Sequence, residues 1–490
     1  MAVNAPASGQ LPPLRERALR GSAWTIADYL VGNVLRFGSN LILAHALFPE
    51  AFAILAYASI VLQGLQMFSD FGVGPAIVKS PRGSDPDFLN TAWTIGAVRG
   101  VALFLLSIPL GWVMARSYSE PLLIWIVPAC GLNFITTGLQ STAVQTCSRD
   151  LNLGRLTIFG IIESVLKAVI TIAWAELWPS VWALVGGALV AYTVGLVLSH
   201  TILPGIRNRF RWEANAVREL IHFGRWVFLS TMLTFACSQI DRLMLGKLVP
   251  MGVVGVYGIA LMFARLPYEV FTRLSRIVLF PALAAVIRRD REALRAKLLE
   301  SRDQILAIAQ FGFVSVIVGS PWFFQFFYDS RYSEAAFFAP LLAGAVWISL
   351  LQASADRALL ALGDARSLAF SNVANLIFTV AGCLVGYKLD QMRGFILGVG
   401  LGNLAGHAAI VWALLRHRLS IVSQDLFYTG VVAGASLFAL AVPLWVPALN
   451  TASWRGIIAA MGVMFSACYA FWRVQALVKG AIRMVMERAT

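Results

Sequence analysis

Four residues near the start of the chain, Tyr29, Asn33, Arg36 and Asn40, stand at i, i+4, i+7 and i+11. On an α-helix that spacing lines one face. A phenol, two amides and a guanidinium together can hydrogen-bond a polar solute, and the planar guanidinium fork matches carboxylate or phosphate oxygens in pairs. The same register recurs in Ser59, Gln63, Gln66 and Asp70, and again in Ser230, Thr234, Cys237 and Asp241. In FARLPYEVFTRLSR, Arg265, Glu269 and Arg273 follow at i+4 steps, with Pro267 available to bend the helix. Two chemistries are therefore expected. Arg36, Arg265 and Arg99, with Tyr29, Asn33, Asn40, Gln63 and Gln66, would bind an anionic or hydroxylated ligand. Glu269, Asp70 and Asp241 would exchange a proton or Na+.

These polar residues interrupt very apolar sequence. Arg36 lies near the middle of Ala23–Ala46, a run long enough to cross a roughly 30 Å hydrocarbon core. Of 490 residues, 59% are hydrophobic and 13% charged, and the mean hydropathy is +0.74. Such a composition belongs to an all-α polytopic membrane protein. A charge inside a span is expected to face a protein interior or a hydrated cavity rather than lipid. Depth along the helix makes Arg36 and Arg265 cavity residues, whereas Arg273 and Arg276 can snorkel to the headgroups. Glu163 and Lys167, one turn apart, are expected to neutralise each other. The histidines fall mainly near span ends, where an interfacial role is expected, and only His45 stands out.

Fourteen spans can be drawn between residues 23 and 472. Most of the 39 Lys and Arg then fall on one side, with Arg116, Lys247, Arg331, Lys388, Arg393 and Arg455 on the other. The positive-inside rule puts both termini in the cytoplasm. The expected organisation is a cytoplasmic tail (1–22), a six-helix bundle (23–203), a cytoplasmic linker (204–221) and a second six-helix bundle (222–415). Two additional spans (416–472) and a C-terminal segment (473–490) complete it. The two bundles share a faint pattern, LILAHALFPEAFAILAYASI against RLMLGKLVPMGVVGVYGIAL. Two pseudo-equivalent halves around a central cavity, with polar stripes facing one another, follow from that reading. The basic segments 204–219 and 287–302 are expected to rest on anionic lipid as orientation signals.

Five cysteines without CxxC spacing indicate packing residues and no metal site. The net charge of +14 is placed for membrane orientation rather than nucleic-acid binding. No GxxxxGK[ST], HExxH or GxSxG motif occurs, so neither an ATP site nor an enzyme centre is expected. In KSPRGSDPDFLN, Asp87 is expected at a helix start.

Several stretches, among them RGSAWT, LILAHALFPEAFAILA, FSDFGVGPAIVKS, QTCSRDLNLGRL, DRLMLGKL and LLALGDAR, resemble the polysaccharide transporter family. These are lipid-linked oligosaccharide flippases of the multidrug/oligosaccharidyl-lipid/polysaccharide exporter superfamily. The resemblance runs over about residues 15–420. It implies two six-helix bundles around a central cavity, two peripheral helices and a bacterial inner membrane. The implied cargo is an undecaprenyl-diphosphate-linked glycan. Related lipid II flippases carry cavity arginines on their first and eighth helices, which hold Arg36 and Arg265 here. The expected partners are that lipid-linked oligosaccharide, membrane lipids, and the polysaccharide polymerase and chain-length machinery; no cofactor is expected. The rival readings are a cation-coupled multidrug exporter of the same superfamily and a scaffold for glycan assembly.

Overall fold

A computed structural model describes residues 31–69, 77, 80, 82–150, 153–214, 216–217, 235–274, 294–362, 364–445, 460–473 and 475. Tyr29, Asp70, Ser230 and Thr234 lie outside the described residues. The described chain is helical. The elements are α1 (31–46), α2 (Pro49–Phe68), α3 (Pro86–Tyr118), α4 (Leu123–Gly138) and α5 (Ala143–Arg149). They continue with α6 (Leu153–Leu177), α7 (Val181–Thr201), α8 (235–248), α9 (Met251–Leu274) and α10 (Leu294–Phe327). The last are α11 (Ala335–Leu362), α12 (Ala365–Arg416), α13 (Val422–Trp445) and α14 (460–473). Each of the fourteen expected spans meets a helix, with α4 and α5 sharing one span and α12 supplying two. The protein is a multi-pass membrane protein: Val98, Leu105, Trp112, Ile377, Val385 and Leu437 stand exposed on its helices, as lipid contact requires.

The chain forms two compact units, Met1–Phe235 and Ala236–Thr490. In the first, α3 and α4 approach closely because glycines meet: a Cβ on Gly138 would lie 2.6 Å from the Gly96 carbonyl oxygen. After Gly138 the helix turns through 60° into α5. The backbone groups freed by this elbow find side-chain partners. Leu139 O accepts from Trp93 Nε1 (3.0 Å) and meets His200 Nε2 (2.9 Å), and Ser141 N donates to Ser199 Oγ (3.1 Å). Thr142 N donates to Asn208 Oδ1, and Asn208 Nδ2 donates to Thr142 Oγ1. A bend in a membrane helix is tolerated only when such groups are satisfied.

Asn208 belongs to the linker, which departs from expectation. Residues 204–213 form no helix and are bonded to α3 of the first unit. The backbone N–H groups of Arg209, Arg211 and Glu213 donate to Asn90 Oδ1, Thr94 Oγ1 and Thr91 Oγ1, all on α3. Arg82 joins Glu213 at 2.8 Å and Asp85 at 2.7 Å, and Arg211 joins Asp87 at 2.9 Å. Asp87 stands in the first turn of α3, as expected, and the cap is Asp85, whose Oδ1 accepts from Asp87 N, with Pro86 between them. The Arg82 guanidinium, followed by that N–H bond, holds the Asp85 carboxyl below the usual carboxylate range.

In the second unit α12 folds back on itself without a loop. Asp390 and Gln391 alone are non-helical, and Gln391 has a φ of 40°, a region that favours glycine. The two limbs close along glycines: a Cβ on Gly382 would lie 2.9 Å from Gly398 O, and Gly386 faces Gly394 more tightly still.

Basic residues 294–302 are the first turns of α10, and Arg302 is fully buried instead of resting on lipid. Arg302 Nη2 pairs with Asp425 Oδ1 at 2.7 Å, Nε donates to Ser354 Oγ, and Nη1 donates to Gln424 Oε1. His407 Nε2 lies 3.1 Å from Asp425 Oδ2, so this histidine is buried in the unit rather than interfacial. Beside it, Asp303 accepts from Tyr428 Oη at 2.7 Å and pairs with Arg473 at 2.7 Å. These contacts fasten α13 and α14 to α10, around an apolar cluster that includes Leu298, Leu359, Ile410 and Leu414.

Candidate functional site

The first unit encloses a cavity of about 520 Å³ between α1, α2, α4, α6 and α7. Its size is that of a small-molecule site. Arg36 and Asn40 line it from α1, Ser59, Gln63 and Gln66 from α2, Asn133 from α4, Ser164, Lys167 and Thr171 from α6, and Tyr192 from α7. Helical register explains the grouping: Arg36 and Asn40 are one turn apart, and Ser59, Gln63 and Gln66 share a face of α2. Arg36 Nη2 donates to Asn33 Oδ1 at 2.6 Å, which aims the guanidinium along its helix.

Lys167, expected only as a partner of Glu163, lines the cavity as a second cation. Among the described residues no ion pair within 4.0 Å joins it to Glu163, although the Lys167 charge still acts on the Glu163 carboxyl across the turn. The Glu163 carboxyl packs where a Cβ on Gly195 would touch its Cδ at 3.2 Å, and Lys167 Nζ lies 5.8 Å from the Tyr192 ring centroid. A glycine on the facing helix gives the acid room, so tertiary packing overrides the i, i+4 pairing. Among its described residues the cavity is lined by Arg36 and Lys167 and by no Asp or Glu. Two cations among amides and hydroxyls make an electropositive site that favours an anion with hydroxyl groups nearby.

Arg99 does not enter this cavity. Its Nε donates to Ser69 Oγ (2.9 Å) and its Nη2 to Gln66 O (2.9 Å), at the C-terminal end of α2 where a cation is favourable. It lines a neighbouring groove. Arg265, Glu269 and Asp241 belong to the second unit. Arg265 and Glu269 are half-buried on α9; Arg265 has no hydrogen bond or ion pair among the described residues. Asp241, on α8, is buried and accepts from Tyr257 Oη at 2.8 Å.

Comparison with known proteins agrees with this architecture. Residues 42–337, well over half of the chain, match the family described as polysaccharide biosynthesis protein. Lipopolysaccharide biosynthesis protein WzxC of Escherichia coli (strain K12) is 22% identical over 451 residues, covering 89% of this chain and 85% of that protein. Succinoglycan biosynthesis transport protein ExoT of Rhizobium meliloti (strain 1021) is 23% identical, covering 81% of this chain and 85% of that protein. In fold, the chain is similar to lipid II flippase MurJ in an inward closed conformation (TM-score 0.68, 12% identity, 94% of this chain and 100% of that one). It is also similar to an inward-facing multidrug resistance MATE transporter (TM-score 0.65, 13% identity, 80% and 96%). The chain therefore belongs to the polysaccharide biosynthesis protein family and is a transporter rather than an enzyme.

Proposed function

We propose that this protein carries an undecaprenyl-diphosphate-linked oligosaccharide from the cytoplasmic to the periplasmic leaflet of a bacterial inner membrane, by alternating access. The observation that carries this reading is the cavity whose described lining holds Arg36 and Lys167 and no Asp or Glu. A sugar diphosphate cannot cross the hydrocarbon core alone, because each unpaired polar group costs roughly 2–7 kcal/mol there. Guanidinium and ammonium groups would neutralise the diphosphate, and Asn40, Gln63 and Asn133 would replace water on the sugar hydroxyls. The polyprenyl chain stays in lipid. The names of WzxC, ExoT and MurJ support a glycan-carrier cargo. A multidrug exporter is disfavoured, since a cationic drug would meet like charge. Both termini are placed in the cytoplasm by the distribution of Lys and Arg. For coupling to H+ or Na+, Glu269 and Asp241 are the candidate groups of the second unit, with Asp70 a third.

The test is translocation in proteoliposomes. The purified protein should expose a lipid-diphosphate glycan to an outside enzyme and leave a cationic dye gradient untouched. Dye transport without glycan translocation would overturn the proposal.

A further inference from the structure

A second cavity, of about 340 Å³, lies in the same unit between α3, α4 and the elbow. Trp93 and Arg99 line it from α3, Thr137 from α4, and Gln140, Thr142 and Gln145 from the elbow and α5. Gln66 and Phe134 line both this groove and the larger cavity, so the two adjoin. We propose that the groove is a sugar subsite, holding the first sugar rings of the substrate while its diphosphate occupies the Arg36–Lys167 cavity. This rests on the proposed cargo.

Three features single out a hydroxylated ligand over a second phosphate. The Arg99 guanidinium is already engaged at the end of α2, by Ser69 Oγ and Gln66 O. The side-chain amides of Gln140 and Gln145 make no hydrogen bond among the described residues, leaving donors and acceptors of the kind that hydroxyls pair with. Trp93 offers an indole ring as an apolar platform. Its Nε1 is fixed on Leu139 O, and the ring packs 4.8 Å from that of Phe210 in the linker.

The groove is also built to hold its shape. The elbow that presents Gln140 and Thr142 is bonded to Ser199 and His200 of α7, Trp93 of α3 and Asn208 of the linker. A site whose polar groups are already positioned loses little order on binding.

The experiment compares two probes on the full-length protein in nanodiscs: undecaprenyl diphosphate without sugar, and lipid-linked oligosaccharide extracted from the producing cells. The Gln140→Ala/Gln145→Ala variant should bind the glycosylated lipid about tenfold more weakly, through two lost hydrogen bonds, and bare undecaprenyl diphosphate unchanged. Gln145→Leu, which keeps the bulk, should shift in the same direction and serves if the double variant folds poorly. Equal effects on both probes, or none on either, would overturn the subsite. Arg36→Gln/Lys167→Gln separates this failure from that of the cargo reading. It should weaken both probes, and if it weakens neither, the diphosphate site falls whatever the glutamine variants do.

Discussion

Two groups of charged residues, one in each unit, are used in opposite ways. In the first, Arg36 and Lys167 border a cavity whose described lining includes no Asp or Glu. In the second, Arg302 is fully enclosed and saturated by Asp425, Ser354 and Gln424, and Asp303 is shared between Tyr428 and Arg473. Both groups interrupt apolar helices, so depth alone does not distinguish them. What differs is the partner. A cation buried against a carboxylate joins helices, whereas one that borders a cavity among amides and hydroxyls can reach a ligand.

The comparison breaks most readily at Arg302. Arg302→Ala strands the Asp425 carboxylate beside His407 and should destabilise the second unit by about 3–5 kcal/mol. The check is the yield of monodisperse protein and its thermal unfolding. Arg302→Met with Asp425→Leu should recover most of that loss, and a fully stable Arg302→Ala would dissolve the contrast. Next in size is Arg36→Ala, which should leave unfolding unchanged and reduce glycan-lipid translocation by about 10–100-fold, the equivalent of one charge-assisted bonding site. Arg36→Lys should keep part of the activity, since the charge survives but the fork does not. If Arg36→Ala instead lowers folded yield, it belongs with the structural charges. Lys167→Gln should have a smaller effect, about threefold to tenfold, because an ammonium contributes a point charge without bidentate geometry.

The smallest effect concerns the linker. The Asp85 carboxyl is held below its ordinary value by Arg82 and the Asp87 N–H. Its contribution is complete above the unfolded value of about 4 and disappears only as pH falls through the depressed one. Amide exchange at Arg209, Arg211 and Glu213, corrected for the intrinsic rate, should therefore be flat from about pH 8 to 5 and rise only in stronger acid. A rise near neutrality would show that Asp85 is not what secures the strap.

Much of this was legible in the sequence, and the reasons are physical. Twenty-residue apolar runs have few alternatives to a membrane helix, so each span could be placed. The stripe of Arg36 and Asn40, with that of Gln63 and Gln66, follows from the helical repeat alone. Lys167 was concealed because Glu163 stands one turn away. Only the facing Gly195 and Tyr192 reveal that the two part. Arg302 looked like the end of a solvated basic segment, since nothing local signals Asp425, 123 residues on. The linker's bonds join alternate backbone amides to Asn90, Thr91 and Thr94, and neither partner shows a pattern by itself. The burial of His407 is hidden for the same reason: its partner Asp425 comes from another helix.

The hairpin of α12 has a mechanical meaning. Where glycines bring two backbones together, little side chain is left between them to tilt or change rotamer, and the two limbs form a stiff hairpin. The same corner offers no slack outside the bilayer. A tag spliced between Asp390 and Gln391 would act as a wedge rather than as a neutral label.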